Sequence, residues 1–336
     1  VVEIPPVENG QVFVGTFDVS WQNALADVGP AGEAKGKGGR YLILPPGFEG
    51  DVPEGFFVLR SETYRGFVIL RSNFKSRSAE DIKAAVDHGK KVKIYPMEGD
   101  DTTATVFVVM HDKPFDATIP YDASFYDHLH RFVQAEPWLT RDKAMIDSLK
   151  TLGIVKGKPF QPDEKVKAIL REAVNEAREV IGQNYERNFA PPIFPGSRWS
   201  VPVPPETRDG LGNNFSNPDE YGLDGRAIMY HMAYFSPKVF GGGQFYLINI
   251  SDKEGNTLEG KRTYKLTVPA DAPVEQYWSV TVYDRETHAL VLNMDRPSLA
   301  SNDTAVVKNA DGSTDVYFGP RAPEGKESNW VPTDPE

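Results

Sequence analysis

Gln276-Tyr-Trp-Ser-Val-Thr-Val-Tyr-Asp284 is the stretch on which the fold reading turns. With a strand period of two, Trp278, Val280 and Val282 share one face, and Tyr277, Ser279, Thr281 and Tyr283 share the other. The first face suits a core. The second, two tyrosines and two hydroxyls, suits either a ligand surface that stacks on sugar rings or a contact between subunits.

Working outward, short runs rich in Val, Ile, Phe and Tyr recur between turn residues. Gln11–Phe17, Arg40–Leu44, Gly55–Arg60, Gly66–Arg71, Val92–Tyr95 and Ala104–Met110 read as strands before the middle of the chain. After it come Ala227–Tyr234, Gln244–Ile250, Thr263–Val268, Leu290–Met294, Ala305–Lys308 and Thr314–Phe318. The last two flank Asp311-Gly312, a hairpin signal. The 29 Gly and 27 Pro residues supply this punctuation, and the pattern predicts sandwiches or barrels.

A helical block interrupts the strands. Asp122 can cap a helix whose apolar face is Phe125, Leu129, Phe132 and Val133. A second helix is expected from Arg141 to Leu152, stopped by Gly153. The third opens at Pro162, Asp163 and Glu164 and carries Val166, Ile169, Leu170, Ala173, Val174, Ala177, Val180 and Ile181 on one face. Beyond Tyr185 the chain is rich in Pro, then in Gly and Asn, which favours extended connection. The expected organisation is an N-terminal β-domain over 1–120, a helical insertion over 121–187, a connection over 188–218 and a C-terminal β-domain over 219–336. A weak internal repeat, Gly39 to Leu70 against Gly260 to Leu292, suggests that the two β-domains are related sandwiches.

Composition sets the outer bounds. Lys plus Arg number 37 against 48 Asp plus Glu, a net charge of −11, which argues against a nucleic-acid partner. The chain has no cysteine, so disulfides, thiolate nucleophiles and thiolate metal sites are excluded. Apolar runs such as Phe67–Leu70 and Val106–Met110 fall far short of the roughly 20 residues a membrane span needs.

Several motifs occur as one ordered set. They are Gly36-Lys-Gly-Gly-Arg-Tyr-Leu-Ile-Leu-Pro-Pro46, Thr63-Tyr-Arg-Gly66, Ile94-Tyr-Pro96, Leu152 to Phe160, Tyr277 to Asp284, Tyr317-Phe-Gly-Pro320 and Asn329-Trp330. Together they resemble the bacterial family that pairs domain of unknown function 1254 with domain of unknown function 1214. The resemblance implies a mainly β fold of two jelly-roll-like sandwiches with the helical insertion, in exported, homo-oligomeric proteins, periplasmic or extracellular. It further implies a leader and more chain before Val1, and a further aromatic and Arg-bearing strand after the Asn-Trp motif. Glycan processing is one activity proposed for the family, and no catalytic residue carries over.

Candidate chemistry is sparse. His128 and His130 sit two apart, which points them to opposite sides of a helix. His231, near Asp224, is the histidine best placed for catalysis or a metal, against a plain place on a sheet. G-x-S-x-G is missing, and the Gly36-Lys37-Gly38-Gly39 run precedes a strand, so it reads as a tight turn rather than a phosphate loop. Gly241-Gly-Gly243 reads likewise. No cofactor is expected. Calcium could at most be held by Asp252-Lys-Glu254-Gly-Asn256 or by Asp303, Asp311 and Asp315, although the EF-hand order is not met.

Glycoside hydrolysis needs two carboxylates about a sugar. Asp224 and Asp284 are the expected catalytic pair. Trp21, Arg71, Tyr95, Arg226, Tyr277 and Tyr283 are the expected ligand-binding residues, in a cleft between domains. The rival expectation is a non-enzymatic assembly whose aromatic faces make subunit contacts.

Overall fold

The computed structural model describes residues 1–8, 10–74, 76, 78–97, 105–110, 113, 115–187, 189–234, 236–239, 245–291 and 294–335. The protein is mixed in class, 26% helical and 20% strand, with several small sheets and six helices among the described residues. The mainly β expectation is corrected accordingly. By contacts the chain forms two compact units. The first is Val1–Asn73, Ala85–Ala190 and Val201–Leu247; the second is Phe74–Ala84, Pro191–Ser200 and Ile248–Glu336.

The first unit contains β1 (Val2–Ile4), β2 (Phe13–Val19), β3 (Ala24–Val28), β4 (Gly39–Leu44), β5 (Phe57–Arg60), β6 (Gly66–Ser72) and β7 (Lys93–Ile94). They form two sheets, ordered β5-β4-β1-β7 and β3-β2-β6. Both sheets turn apolar residues into one core, where Phe17 of β2 meets Tyr41 of β4 with ring centroids 4.9 Å apart. Strand β2 also runs very close to β6, because a Cβ on Gly15 would lie 1.8 Å from the Ile69 carbonyl oxygen. Only glycine fits there. A bulge between Phe17 and Asp18 shifts the pairing of β2 with β3. The Gly36–Gly39 run is a tight turn into β4, with positive φ at Gly36, Gly38 and Gly39.

The first unit also holds the helices α2 (Ser124–Ala135), α3 (Lys143–Ser148), α4 (Glu164–Arg187), α5 (Pro205–Leu211) and α6 (Leu223–Ala233); α1 (Ala79–Gly89) spans the division between units. The Asp122 carboxylate accepts from Ser124 N–H at 2.7 Å, and Gly153 ends the α3 region at φ 87°. The Asp163 carboxylate accepts from Val166 N–H at 2.8 Å at the start of α4. Leu170 and Val174 are buried with Tyr126, Val133, Ile146 and Ile154. The predicted apolar face of α4 is only half used, since Ile169 and Val180 remain exposed.

Two strand expectations change character. Ala227–Tyr234 lies in α6 and its C-cap, because Met229, Met232 and Ala233 at i, i+3 and i+4 make a helical face that packs against Val203, Leu211 and Phe215. Residues 105–110 form no ladder, and Val106–Met110 stays exposed throughout; position 104 lies outside the described residues.

The second unit contains β8 (Tyr264–Val268), β9 (Ser279–Thr281), β10 (Ser298–Ala300), β11 (Thr314–Gly319) and β12 (Trp330–Pro332), paired as β10-β9 and β12-β11-β8. Trp278, Val280 and Val282 pack with Leu299, Val316 and Val331, as the alternation predicts. The Asp311-Gly312 turn forms, with Asn309 N–H donating to Ser313 O at 2.8 Å, but β11 then pairs with β8 rather than with 305–308. Of the expected strand Gln244–Ile250, position 244 lies outside the described residues and Ile248 makes one isolated bridge. Leu290–Met294 shows one bridge, Tyr283 with Leu290, while 292 and 293 lie outside the described residues. The internal repeat is not carried into the pairing. Strands β4 and β5 are parallel neighbours, whereas β8 and β9 belong to different sheets.

Phe17→Ala removes a side chain 1% exposed between the two sheets, and should cost about 3–5 kcal/mol in chemical denaturation. Phe67→Ala, on the exposed side of β6, should cost less than about 1 kcal/mol in the same measurement.

Candidate functional site

The turn from β2 to β3 is held hard in place. Ser20 N–H donates to Thr63 Oγ1 at 3.1 Å, and Ser20 Oγ donates to Arg65 O at 2.7 Å. Trp21 Nε1 donates to Pro137 O at 3.2 Å, and its ring meets Phe132 edge-on at 4.5 Å. Glu136, 1% exposed, accepts from Tyr64 N–H at 2.7 Å beside the same turn. Gln22 adopts φ 62°, a left-handed conformation that is uncommon outside glycine.

Helix α6 faces this turn with a stripe of four residues. Leu223, Arg226, Ala227 and Tyr230 follow i, i+3, i+4 and i+7, so they lie on one side of the helix. Tyr234 ends the helix at φ 62°, its N–H donating to Tyr230 O at 2.9 Å. The chain then passes Ser236 and reaches Lys238 and Val239, whose backbone N–H groups donate to the Asp27 carboxylate at 3.1 and 2.8 Å.

Between the α6 stripe and the turn lies a cavity of about 220 Å³, lined also by Trp21, Gln22, Met145 and Ser236. Arg226 fixes its charged rim. Its Nη1 donates to Asp142 Oδ1 at 2.6 Å and its Nη2 to Trp21 O at 3.3 Å. Burial raises the Tyr230 phenol above its ordinary value, and neighbouring Tyr121 adds to this.

Behind Ser236 lies an uncompensated polar group. Asp18, on the face of β2 opposite Phe17, is 1% exposed, and neither carboxylate oxygen has a hydrogen-bond partner among the described residues. Burial pushes its carboxyl up to about 7; the Ser236 backbone N–H lowers it somewhat without completing a hydrogen bond, and the Asp27 charge raises it. Gln22 Oε1 and both amide atoms of buried Asn23 are likewise unpartnered.

Of the residues expected from sequence, the structure brings Trp21 and Arg226 together. Asp224 sits in the first turn of α6, exposed. Arg71 is half-buried on β6, opposite Val14 of β2. Tyr95 follows β7, its hydroxyl donating to Glu3 Oε2 at 3.1 Å. Tyr277, Tyr283 and Asp284 belong to the second unit, so Asp224 and Asp284 fall in different units. The Asp284 carboxylate accepts from the N–H and hydroxyl of Thr287, both at 2.7 Å, and so pins a turn.

His231 is in α6 rather than on a strand, buried with its ring edge-on to Tyr185 at 6.1 Å. The Asp252 carboxylate is held below its ordinary range by Asn256 across the 252–256 turn. Asp311 and Asp315 are each bound to local hydroxyls, of Ser313 and Thr267. Gly241–Gly243 lies outside the described residues. Sequence reading passed over Asp18, Gln22, Asn23, Tyr230 and Ser236. The available signal was an Asp inside the apolar run Phe13-Val-Gly-Thr-Phe-Asp-Val19.

Residues 1–96 match the family described as protein of unknown function (DUF1254), and residues 243–336 match the one described as protein of unknown function (DUF1214). The chain pairs these two domains. The crystal structure of the VPA0106 protein from Vibrio parahaemolyticus is similar in fold, with a TM-score of 0.55 at 17% identity, over 100% of this chain and 77% of that one. No curated protein matches the chain. The DUF1254 stretch supplies Trp21 and Gln22 to the cavity lining. Helix α6 lies between the two matched stretches.

Asp18 gives this arrangement a pH signature. Its folded-state value lies above the ordinary carboxylate value of 3.8, so the folded state holds the extra proton. Stability should therefore fall as pH rises from about 4 to about 7 and level off above, by on the order of a few kcal/mol. Asp18→Asn should match the parent near pH 4 and exceed it at pH 8 in thermal melts. Parallel curves for the two proteins would show that Asp18 carries no such burden.

Proposed function

We propose that the protein binds a glycan unit or a similarly polar small ligand in the cavity between the β2–β3 turn and α6. The observation that carries this is the cavity itself, whose lining joins the aromatic side chains of Trp21 and Tyr230 to the polar ones of Gln22, Arg226 and Ser236. Apolar walls with a few polar groups are what a pocket for a small polar ligand needs. Trp21 and Tyr230 offer faces for a sugar ring, while Arg226, Gln22 and Ser236 offer polar contacts to its hydroxyls. Export and self-association, which the family resemblance implies, complete the reading.

Isothermal titration against neutral mono- and disaccharides tests it. Tyr230→Ala should weaken any binding by about tenfold or more, equivalent to about 1.4 kcal/mol, with the melting temperature little changed. Binding that is unaffected by Tyr230→Ala would move the ligand elsewhere.

One observation favours a second reading, that of an assembly protein. Val106, Phe107, Val108, Val109 and Met110 are consecutive and exposed, Val109 at 75%, and such a patch marks contact surfaces. Val108→Glu should then lower the mass seen by size-exclusion chromatography with light scattering. An unchanged mass would remove this segment from any subunit contact.

A further inference from the structure

Strand β6 differs from the strand it pairs with. All of β2 except Val14 is buried, whereas no residue of Gly66-Phe-Val-Ile-Leu-Arg-Ser72 is, although Phe67 to Leu70 are large and apolar. β6 forms one edge of the β3-β2-β6 sheet. Two bonds at the ends of its ladder fix which groups that edge displays. Ser20 N–H donates to Arg65 O at 3.2 Å and Asn73 N–H to Val12 O at 3.3 Å, both in the register that sets Thr16 opposite Ile69. Bonded pairs alternate along an antiparallel ladder, so Phe67, Ile69 and Arg71 turn their amide groups to β2. Gly66, Val68, Leu70 and Ser72 turn theirs outward, where no backbone partner meets them among the described residues.

Proteins normally blunt such an edge. In this unit β5 is only four residues long, Thr105 Oγ1 accepts from Ile94 N–H of β7 at 2.8 Å, and the segment after α6 bonds to Asp27 of β3. Phe67–Leu70 has no charge and no proline, and the bulge in β2 lies on its β3 side. An unpaired edge of this kind takes up a further strand.

The residue order indicates which strand fits. With β6 antiparallel to itself about Ile69, Val68 and Leu70 form bonded pairs across the seam. Phe67 then stands opposite Arg71 in an unbonded pair, where side chains come closest and a guanidinium can lie over a ring. Centring the pairing on Val68 would set Arg71 against Arg65. Centring it on Leu70 would set Arg71 against Ile69. We propose that the outer edge of β6 pairs with β6 of a second copy of this chain, centred on Ile69, with Phe67 of each copy against Arg71 of the other. The proposal is independent of the cavity and of the exposed 106–110 run.

Phe67 is 37% exposed, so substitutions there spare the core. Sedimentation equilibrium should show the parent associated at micromolar concentration. Phe67→Arg, which sets like charges together, should halve the mass; Phe67→Glu, which sets opposite charges together, should keep it. Hydrogen exchange at the Val68 and Leu70 amides should be slow in the parent and about tenfold or more faster in Phe67→Arg. A monomeric parent would overturn the proposal, and slow exchange in that monomer would assign the edge to another segment of the chain. A mass unchanged by Phe67→Arg, or fast exchange in an associated parent, would place the contact elsewhere and overturn it equally. Dissociation of Phe67→Glu as well would overturn the register. Thermal melts confirm that both variants are folded.

Discussion

Strand β2 is buried on both faces, and much of the first unit follows from that constraint. One face is apolar, with Phe17 pressed against Tyr41 between two sheets. The other presents Thr16 and Asp18, 2% and 1% exposed, to the chain that follows α6. A polar face can be covered only if partners are supplied. Thr16 finds Asp27 at 2.9 Å, and Asp27 finds two backbone N–H groups of the covering segment. Asp18 is left with the Ser236 backbone N–H alone among the described residues, and Ser236 also lines the cavity.

The turn that follows β2 is then rigid where it needs to be. Trp21 is fixed at both its indole N–H and its ring, while neighbouring Gln22 holds a left-handed backbone conformation. Rigid support around the cavity-lining Trp21 is what the proposed binding reading calls for, because the cost of ordering is then met in folding rather than in binding.

Much of this was legible in the sequence. Alternation in Gln276–Asp284 placed Trp278, Val280 and Val282 in the core of the second unit. Apolar spacing and caps located α2, the α3 region and α4. The chief error, Ala227–Tyr234, arose because aromatic and apolar residues in a short run fit either period. Met and Ala favour the helix, and packing on Val203 and Leu211 decides it. That error hid the α6 stripe and with it the cavity wall. Trp21 and Arg226 were still chosen, since an aromatic and a cation stand out by residue type. Asp18 did not stand out among 48 acidic residues, because its importance lies in what fails to surround it, and tertiary packing alone creates that condition.

The central claim is that Asp18 is buried and ionisable, with its charge unmatched by any ion pair among the described residues. Carbon-13 NMR of the aspartate carboxyl carbons, with Asp18 assigned by its loss in Asp18→Asn, measures this directly. The account predicts a carboxyl titrating near 7 in the unliganded protein. Titration near the ordinary aspartate value, about 4, would mean that a partner or solvent already satisfies Asp18, and would contradict the account.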